Sequence, residues 1–390
     1  MTASPNSSPT ERALTRYTED PRVVQGGHTV RLLRNGAEAF PAWLEAIDGA
    51  QHRISLEMYI FSDDVIGRRF GEALARAAHR GVEVRLLYDF VGCRETPPAF
   101  FQRLRGFGVH VTGYHKYRLW RPRLWALIRR NHRKTLVVDG RIAFTGGINI
   151  SDEWMSKAEG GGGWLDAAIQ LEGPSVALIE GSFLRLWNRR APRRTRLDPA
   201  RLARPPAAGS VSLAVVWNGI RRNRFTIRRW ALHAIRESRA RVFLANPYFV
   251  PDRGVLRALL QAAARGVDVR LLVPRVSDVR LLDFATRAVF PRLLAGGARI
   301  FRSPVVTHTK ALMVDDAFVS IGSYNFDHRS LAYNLELVVN VVDPTHATEV
   351  GTMLISDMAT SEEVKADAFE RRGWLGRLME RIAWALRRWL

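Results

Sequence analysis

Strand-like apolar runs and Ala-rich helical runs alternate along this chain, and the alternation is written twice. Ile54 to Phe61 and Val242 to Val250 each read as a largely apolar strand with a tyrosine, Tyr59 or Tyr248, at its polar end. An Ala-rich helical pattern follows each, closed by Gly81 in one copy and Gly266 in the other. The Val/Leu alternation of another buried strand comes next. The copies align as EALARAAHRGVEVRLLYD over 72–89 against RALLQAAARGVDVRLLVP over 257–274. Elements match while the loops between them differ in length, as in a duplicated domain that has diverged. Strands alternating with helices predict an α/β protein with a mixed sheet in each half.

Both periods fail over 190–210, a Pro, Arg and Ala stretch, and the boundary between the halves is expected there. The predicted organisation is a flexible N-terminal tail over 1–24, a first domain over 25–195, a linker over 196–210, a second domain over 211–362, and a basic amphipathic C-terminal helix over 363–390. The first 24 residues are polar and lack the apolar core of a secretory signal. No run of about 18 apolar residues occurs, so no bilayer-spanning segment is expected, and peripheral attachment remains open.

Each half then carries one polar phrase with its spacing preserved: His-x-Lys, four residues, Asp, six residues, Gly-(Gly/Ser)-x-Asn. The first copy is His132, Lys134, Asp139, Gly146, Gly147 and Asn149; the second is His308, Lys310, Asp315, Gly322, Ser323 and Asn325. Of the 59 Lys and Arg residues only five are Lys, and two of those five occupy the same slot of the phrase. A compact ammonium has been kept there, where a planar guanidinium would present another geometry.

The phrase predicts a strand turning at Asp139-Gly140 and returning through Ile142 to Phe144, which carries Asn149 back beside His132 and Lys134. A phosphodiester needs what then converges: a nucleophile or acid, a fixed positive charge, and a neutral donor for the non-bridging oxygens. Asp139 and Asp315 fall in the turns and are assigned a structural role, with Gly146, Gly147, Gly322 and Ser323. Asp166, in WLDAAIQL, and Glu336, in NLELVVN, are the acids placed to accept a histidine Nδ1 proton and fix its tautomer. Tyr59, Tyr248 and His328 are candidates to line the site. A lone His-x-Lys is usually a solvated strand face; two copies inside matched elements reverse that weighting. Metal binding fits poorly, because Cys pairs are missing and each His has a Lys beside it that would repel a cation. No metal and no cofactor are expected.

The formal net charge of +21 and a sequence pI near 11.2 predict attraction to a polyanion, either nucleic acid or an anionic membrane face. The lone cysteine, Cys93, cannot form an internal disulfide. Two segments separate the partners. Over 374–390, Trp374, Leu375, Leu378, Met379, Ile382, Leu386 and Trp389 share one side of a helix. Arg377, Glu380, Arg381, Arg387 and Arg388 lie opposite, with Trp384 an exception among them. That is an interfacial helix for an anionic bilayer, or a helix packing its apolar face on the protein body. Over 116–130, Trp120 and Trp125 interleave with arginines, which suits lipid headgroups or stacked bases. The amphipathic tail has no use on nucleic acid, so the membrane is favoured.

The repeated phrase resembles the HKD signature of the phospholipase D superfamily, over roughly residues 25 to 360. Within it, Val30 to Gly67, the ANPYFVPD run from Ala245 to Asp252, and Gly173 to Trp187 are most similar to bacterial cardiolipin synthases of the short type without N-terminal membrane spans. The resemblance implies two duplicated α/β/α sandwich domains with mixed sheets, related by a pseudo-twofold axis, with the active site at their interface. It implies covalent catalysis in which one His attacks phosphorus and the other protonates the leaving alcohol, with His132 as nucleophile and His308 as acid/base. It further implies that two phosphatidylglycerol molecules yield cardiolipin and glycerol, on the cytoplasmic face of the inner membrane, by a single-chain pseudo-dimer without nucleic acid. Rival functions are a hydrolytic phospholipase D, a nucleic-acid phosphodiesterase, and a basic scaffold that only binds anions. Intact catalytic residues in both halves argue against the scaffold.

Overall fold

The computed structural model describes residues 9–115, 129–219, 223–277 and 279–388. The chain forms two compact units. The first comprises Gln25–Val215 together with Asn334–Leu337; the second comprises the chain up to Val24, Val216–Tyr333 and Val338–Leu390. Helix α1 (Pro9–Tyr17) belongs to the second unit.

In the first unit the strands are β1 (Gln25–Arg34), β2 (Arg53–Met58), β3 (Glu83–Asp89), β4 (His110–Tyr114), β5 (Thr135–Val138), β6 (Ile142–Gly146), β7 (Ala167–Glu172) and β8 (Val211–Trp217). They are ordered β8-β1-β7-β6-β5-β2-β3-β4. β2, β3 and β4 run parallel, while β5, β6 and β7 are antiparallel neighbours. Helices α2 (Asn35–Asp48), α3 (Val65–His79), α4 (Pro98–Gly106) and α5 (Val176–Arg190) cover the sheet. Parallel strands need such crossovers, and α3 shows how the sequence makes one. Asp64 caps its start by accepting from Gly67 N–H at 2.8 Å, Phe70, Leu74 and Ala77 are buried, and Gly81 ends it at φ +89°. Trp43, Phe70 and Phe144 meet edge-on or tilted in the core beneath.

The second unit repeats the plan. β9 (Arg241–Ala245), β10 (Asp268–Pro274) and β11 (Arg299–Ser303) are parallel; β12 (Ala311–Val314), β13 (Phe318–Gly322) and β14 (Leu337–Val342) are antiparallel neighbours. Pairing of β9 with β12 matches that of β2 with β5. The predicted α/β class with duplicated mixed sheets is therefore the observed one. The remaining helices are α6 (Thr226–Glu237), α7 (Arg253–Ala264), α8 (Arg280–Arg287), α9 (Phe290–Ala295), α10 (His328–Ala332), α11 (Pro344–Ala359), α12 (Ala366–Glu370) and α13 (Trp374–Leu386).

Several segments depart from the predicted organisation. The part of the N-terminus expected to be a flexible tail holds α1, with Ala13 and Tyr17 buried and Tyr17 donating to Asp315 Oδ2 at 2.8 Å. His233 donates to Arg16 O at 2.8 Å, and α1 lies against α6. The cause is a short amphipathic period, Ala13, Leu14 and Tyr17, inside a polar stretch. Residues 193–201 are tied to the first unit: Thr195 O accepts from both Arg85 Nε (3.1 Å) and Trp187 Nε1 (3.0 Å). β8, expected to open the second domain, pairs with β1. The C-terminal segment begins with a two-residue strand, Glu362–Glu363, against β11, and its long helix is confined to α13.

Candidate active site

The turn chemistry places the motif. Asp139 and Gly140 adopt φ +53° and +67°, the left-handed pair of a tight hairpin, so that Val138 faces Ile142 and Thr135 faces Thr145 across β5 and β6. Asp139 accepts from the backbone N–H groups of Gln51, His52 and Arg53, each at 2.8 Å. Burial alone would raise its pKa; those donors outweigh it and hold the carboxyl below its ordinary range. Asp315 makes the matching hydrogen bonds in the second unit, accepting from Arg239 N (2.7 Å), Ala240 N (2.7 Å) and Arg241 N (2.8 Å).

His132 and Lys134 lie just before β5 rather than on it, in an extended stretch whose residues alternate direction. Lys134 Nζ donates to His132 O at 2.7 Å and lies 5.2 Å from the Tyr59 ring centre, and Tyr59 meets the imidazole edge-on at 4.8 Å. Past the far end of β6, Asn149 Oδ1 accepts from Ile60 N–H at 3.1 Å, which leaves the amide NH2 as its donating end. Asn149 and Lys134 are about 1% exposed and His132 7%, so these groups sit in a dry setting where hydrogen bonds and charges act strongly.

The acid that meets His132 comes from 204 positions downstream. Both carboxylate oxygens of Glu336 lie 3.1 Å from His132 Nδ1. The segment carrying Glu336 is fixed in the first unit by backbone bonds, His132 N–H to Leu335 O (3.0 Å) and Leu335 N–H to Arg130 O (2.9 Å). Asp166, the other acid placed as a histidine partner, accepts from Trp154 Nε1 at 2.9 Å and from Ala167 N–H at 2.8 Å. Gly147 is required beside it, since a Cβ there would lie 2.2 Å from Asp166 Oδ1. Gly146 likewise lets β6 approach the Ala167 carbonyl, 2.4 Å from where its Cβ would be.

In the second unit, Lys310 Nζ lies 2.9 Å from His308 Nδ1 and 3.2 Å from Nε2, and also donates to His308 O. Tyr248 faces that imidazole edge-on at 6.4 Å. Asn325 is buried, as are Gly322 and Ser323, and its Oδ1 has no hydrogen-bond partner among the described residues. His328 starts α10 and meets Tyr333 edge-on at 5.7 Å, in a cleft beside the C-terminal helix that His308 does not line.

Beneath His132 lies a polar layer that the motif did not announce. Asn131 and Arg133, which alternate with His132 and Lys134, each donate to Glu57 Oε1 at 2.7 Å. Asn131 N–H donates to Asp89 Oδ2 at 2.9 Å, and Arg130 pairs with Asp89 at 3.3 Å. Burial raises the Asp89 pKa, opposed by Arg130. The available signal was Glu57 itself, the one acid within the strand and buried there, because an acid in that position must find a partner.

Helix α13 settles which way its apolar stripe faces. Trp374, Leu375, Leu378, Ile382 and Leu386 are all exposed, whereas Glu380 and Ala383 are buried. It packs against α8 through the side that carries Trp384, with Glu380 bridged to Arg287 (3.1 Å) and Arg372 (2.9 Å). Arg377, Arg381 and Arg388 form an exposed row along one flank. Trp120, Trp125 and Trp389 lie outside the described residues. Among the described residues, no helix is long and apolar enough to cross a membrane.

These features define a duplicated α/β fold with one HKD phrase in each half, and comparison with known proteins agrees. The model of the family "Cardiolipin synthase, PLD-like domain" matches residues 43–172 and again 231–358. Cardiolipin synthase A of Pseudomonas putida strain GB-1 is 34% identical over 95% of this chain and 77% of its own length. Cardiolipin synthase of Geobacillus thermodenitrificans is 33% identical over 92% of this chain and 73% of its own length. Among solved structures, phosphatidylserine synthase of Haemophilus influenzae superposes with a TM-score of 0.70 over 97% of both chains at 14% identity, which is a likeness of fold alone. The chain belongs to the cardiolipin synthase family of the phospholipase D superfamily. It is an enzyme of the phosphatidyltransferase type.

Proposed function

We propose that this enzyme makes cardiolipin from two molecules of phosphatidylglycerol, releasing glycerol, through a phosphohistidine. His132 Nε2 attacks phosphorus and the bond to the departing glycerol oxygen breaks, with His308 giving that oxygen its proton. The hydroxyl of a second phosphatidylglycerol, deprotonated by His308, then attacks the same phosphorus and the N–P bond breaks. Lys134, Lys310, Asn149 and Asn325 hold the non-bridging oxygens as charge builds.

The observation that carries this reading is the pairing of His132 Nδ1 with Glu336. A carboxylate there keeps the proton on Nδ1, presents the Nε2 lone pair outward, and stabilises the positive charge the ring gains on attack. The outward stripe of α13 supports peripheral work at an anionic bilayer, since a helix serving only to pack would bury that stripe. A place on the cytoplasmic face of the inner membrane follows from the same reading.

The test is incubation with phosphatidylglycerol vesicles in EDTA. Cardiolipin plus glycerol is expected, and none from His132→Ala. Phosphatidic acid as the sole product would replace transfer by hydrolysis, and cleavage of added plasmid with lipid untouched would replace both. In His308→Ala, radiolabelled phosphatidyl is expected on the peptide carrying His132; label absent from that peptide would overturn the assignment of the nucleophile.

A further inference from the structure

The second unit holds a cavity of about 940 Å³ that takes in none of the HKD residues. Its floor is apolar, built from Val250, Leu256 and Leu331, and its wall on one side is α13, through Trp384, Arg387 and Arg388. Five arginines line it against two aspartates. Both carboxylates are already engaged. Asp252 is held by Arg228 through two contacts of 2.6 Å and caps α7, and Asp327 caps α10 through Ser330 N–H at 2.7 Å.

Arg253, Arg292, Arg387 and Arg388 are therefore left as cations, and among the described residues no carboxylate pairs with any of them. Arg387 lies over the Trp384 ring at 4.5 Å and donates to Trp384 O, so its guanidinium is fixed at the rim. The field is felt by neighbours: the His328 pKa is lowered by burial and then by Arg388 and Arg387. An unpaired basic cluster above an apolar floor fits an anionic phosphate with a hydrocarbon attached. Of the arginine flank beside the outward stripe, Arg388 lines this cleft, while Arg377 and Arg381 line a neighbouring hollow that shares Arg292 and Trp384 with it. A bilayer that received the stripe would present headgroups at the level of the cleft mouth.

We propose that this cleft is a second anionic-phospholipid site, distinct from the HKD residues, which takes the phosphate of one lipid between Arg253, Arg292 and Arg388 with its acyl chains against Trp384. The choice of a lipid over free phosphate rests on the phospholipid reading of the enzyme; the site itself does not. Its occupant is drawn from the surface on which α13 lies, so the cleft holds a lipid while the catalytic residues turn over others.

The probe is a short-chain phosphatidylglycerol bearing a photoreactive acyl group, below its micelle concentration and in molar excess, cross-linked to the full chain carrying His308→Ala so that at most one probe molecule per chain is taken up by His132 and none is turned over. Label is expected on peptides covering 250–256 and 384–388, and an excess of unlabelled short-chain phosphatidylglycerol should remove it. The variant Arg253→Gln/Arg292→Gln changes two exposed side chains and should keep the parent Tm. It should lose at least tenfold of that label, while any label on the His132 peptide persists. Equal labelling of the cleft in the variant, or no cleft label in the parent, would overturn the proposal. Displacement by inorganic phosphate as effectively as by lipid would reassign the site to free phosphate. Failure of cardiolipin synthesis in the vesicle assay would leave this result standing, so the two readings fall separately.

Discussion

The Glu336 carboxylate and the His132 imidazole are nearly closed off from water, and that seclusion gives a single substitution a clear expected effect. Glu336→Gln keeps the shape but offers an amide that stabilises the wrong tautomer and no charge. The expected loss in kcat for cardiolipin formation is about 10²- to 10⁴-fold, with KM little moved. A loss appearing wholly in KM would place Glu336 in lipid binding instead. Asp139 acts on stability. Its folded pKa lies below its unfolded one, so its contribution is complete above the unfolded pKa and fades as pH falls through the folded value. Asp139→Asn should cost about 1–2 kcal/mol near neutral pH by removing charged acceptance of three N–H groups, and the gap in Tm between the two proteins should narrow below about pH 4. At this scale the motif residues were legible because rigid spacing makes a rare combination stand out. Glu57, Asp89 and Arg130 were not, since a charged residue in a strand or in a basic run does not name its partner.

For the C-terminal helix, amphipathicity was legible and orientation was not. Trp384 broke the pattern by sitting among charges, and it is the aromatic ring that meets the protein, beside Ala383 and the Glu380 bridges. The stripe, read as an interfacial face with packing on the protein body as the alternative, faces outward. Leu378→Ser/Ile382→Ser should therefore leave Tm unchanged and weaken sedimentation with phosphatidylglycerol vesicles by at least about tenfold, given roughly 1.5–3 kcal/mol for each such side chain when fully buried. A fall in Tm without loss of vesicle binding would mean that the stripe packs on protein. Glu380→Ala tests the other face. Breaking a buried ion pair from one side costs about 3–5 kcal/mol, so hydrogen exchange over 374–386 should accelerate while β9 to β12 stay protected. The short helix at 9–17 escaped notice for a related reason. Its apolar period spans barely two turns, and only the surface it lands on makes it a helix.

Over the whole molecule, a net charge of +21 makes attachment to anionic vesicles depend on salt. Binding to phosphatidylglycerol vesicles should fall at least tenfold between 50 and 500 mM NaCl, at about 1 kcal/mol for each arginine brought near the surface. Phosphatidylcholine vesicles should retain little protein at either salt. The duplication and the α/β class were readable from matched periods, because a repeated strand-helix-strand order constrains the fold more than any one element does. The division of the chain into units was not, because 334–337 returns to the first unit through two backbone bonds and one carboxylate, too few residues to leave a period.

That brief return makes the duplicated gene indivisible. A fragment stopped at the repeat boundary would contain the whole HxK…N set of the first copy and still lack the carboxylate that orients its imidazole. Expression of 1–215 alone should yield a chain unable to accept a phosphatidyl group, and the missing ingredient is a tetrapeptide encoded more than a hundred codons away. Once the first copy had come to rely on an acid carried by the second, the second could not be lost or separately re-tuned without disarming the first.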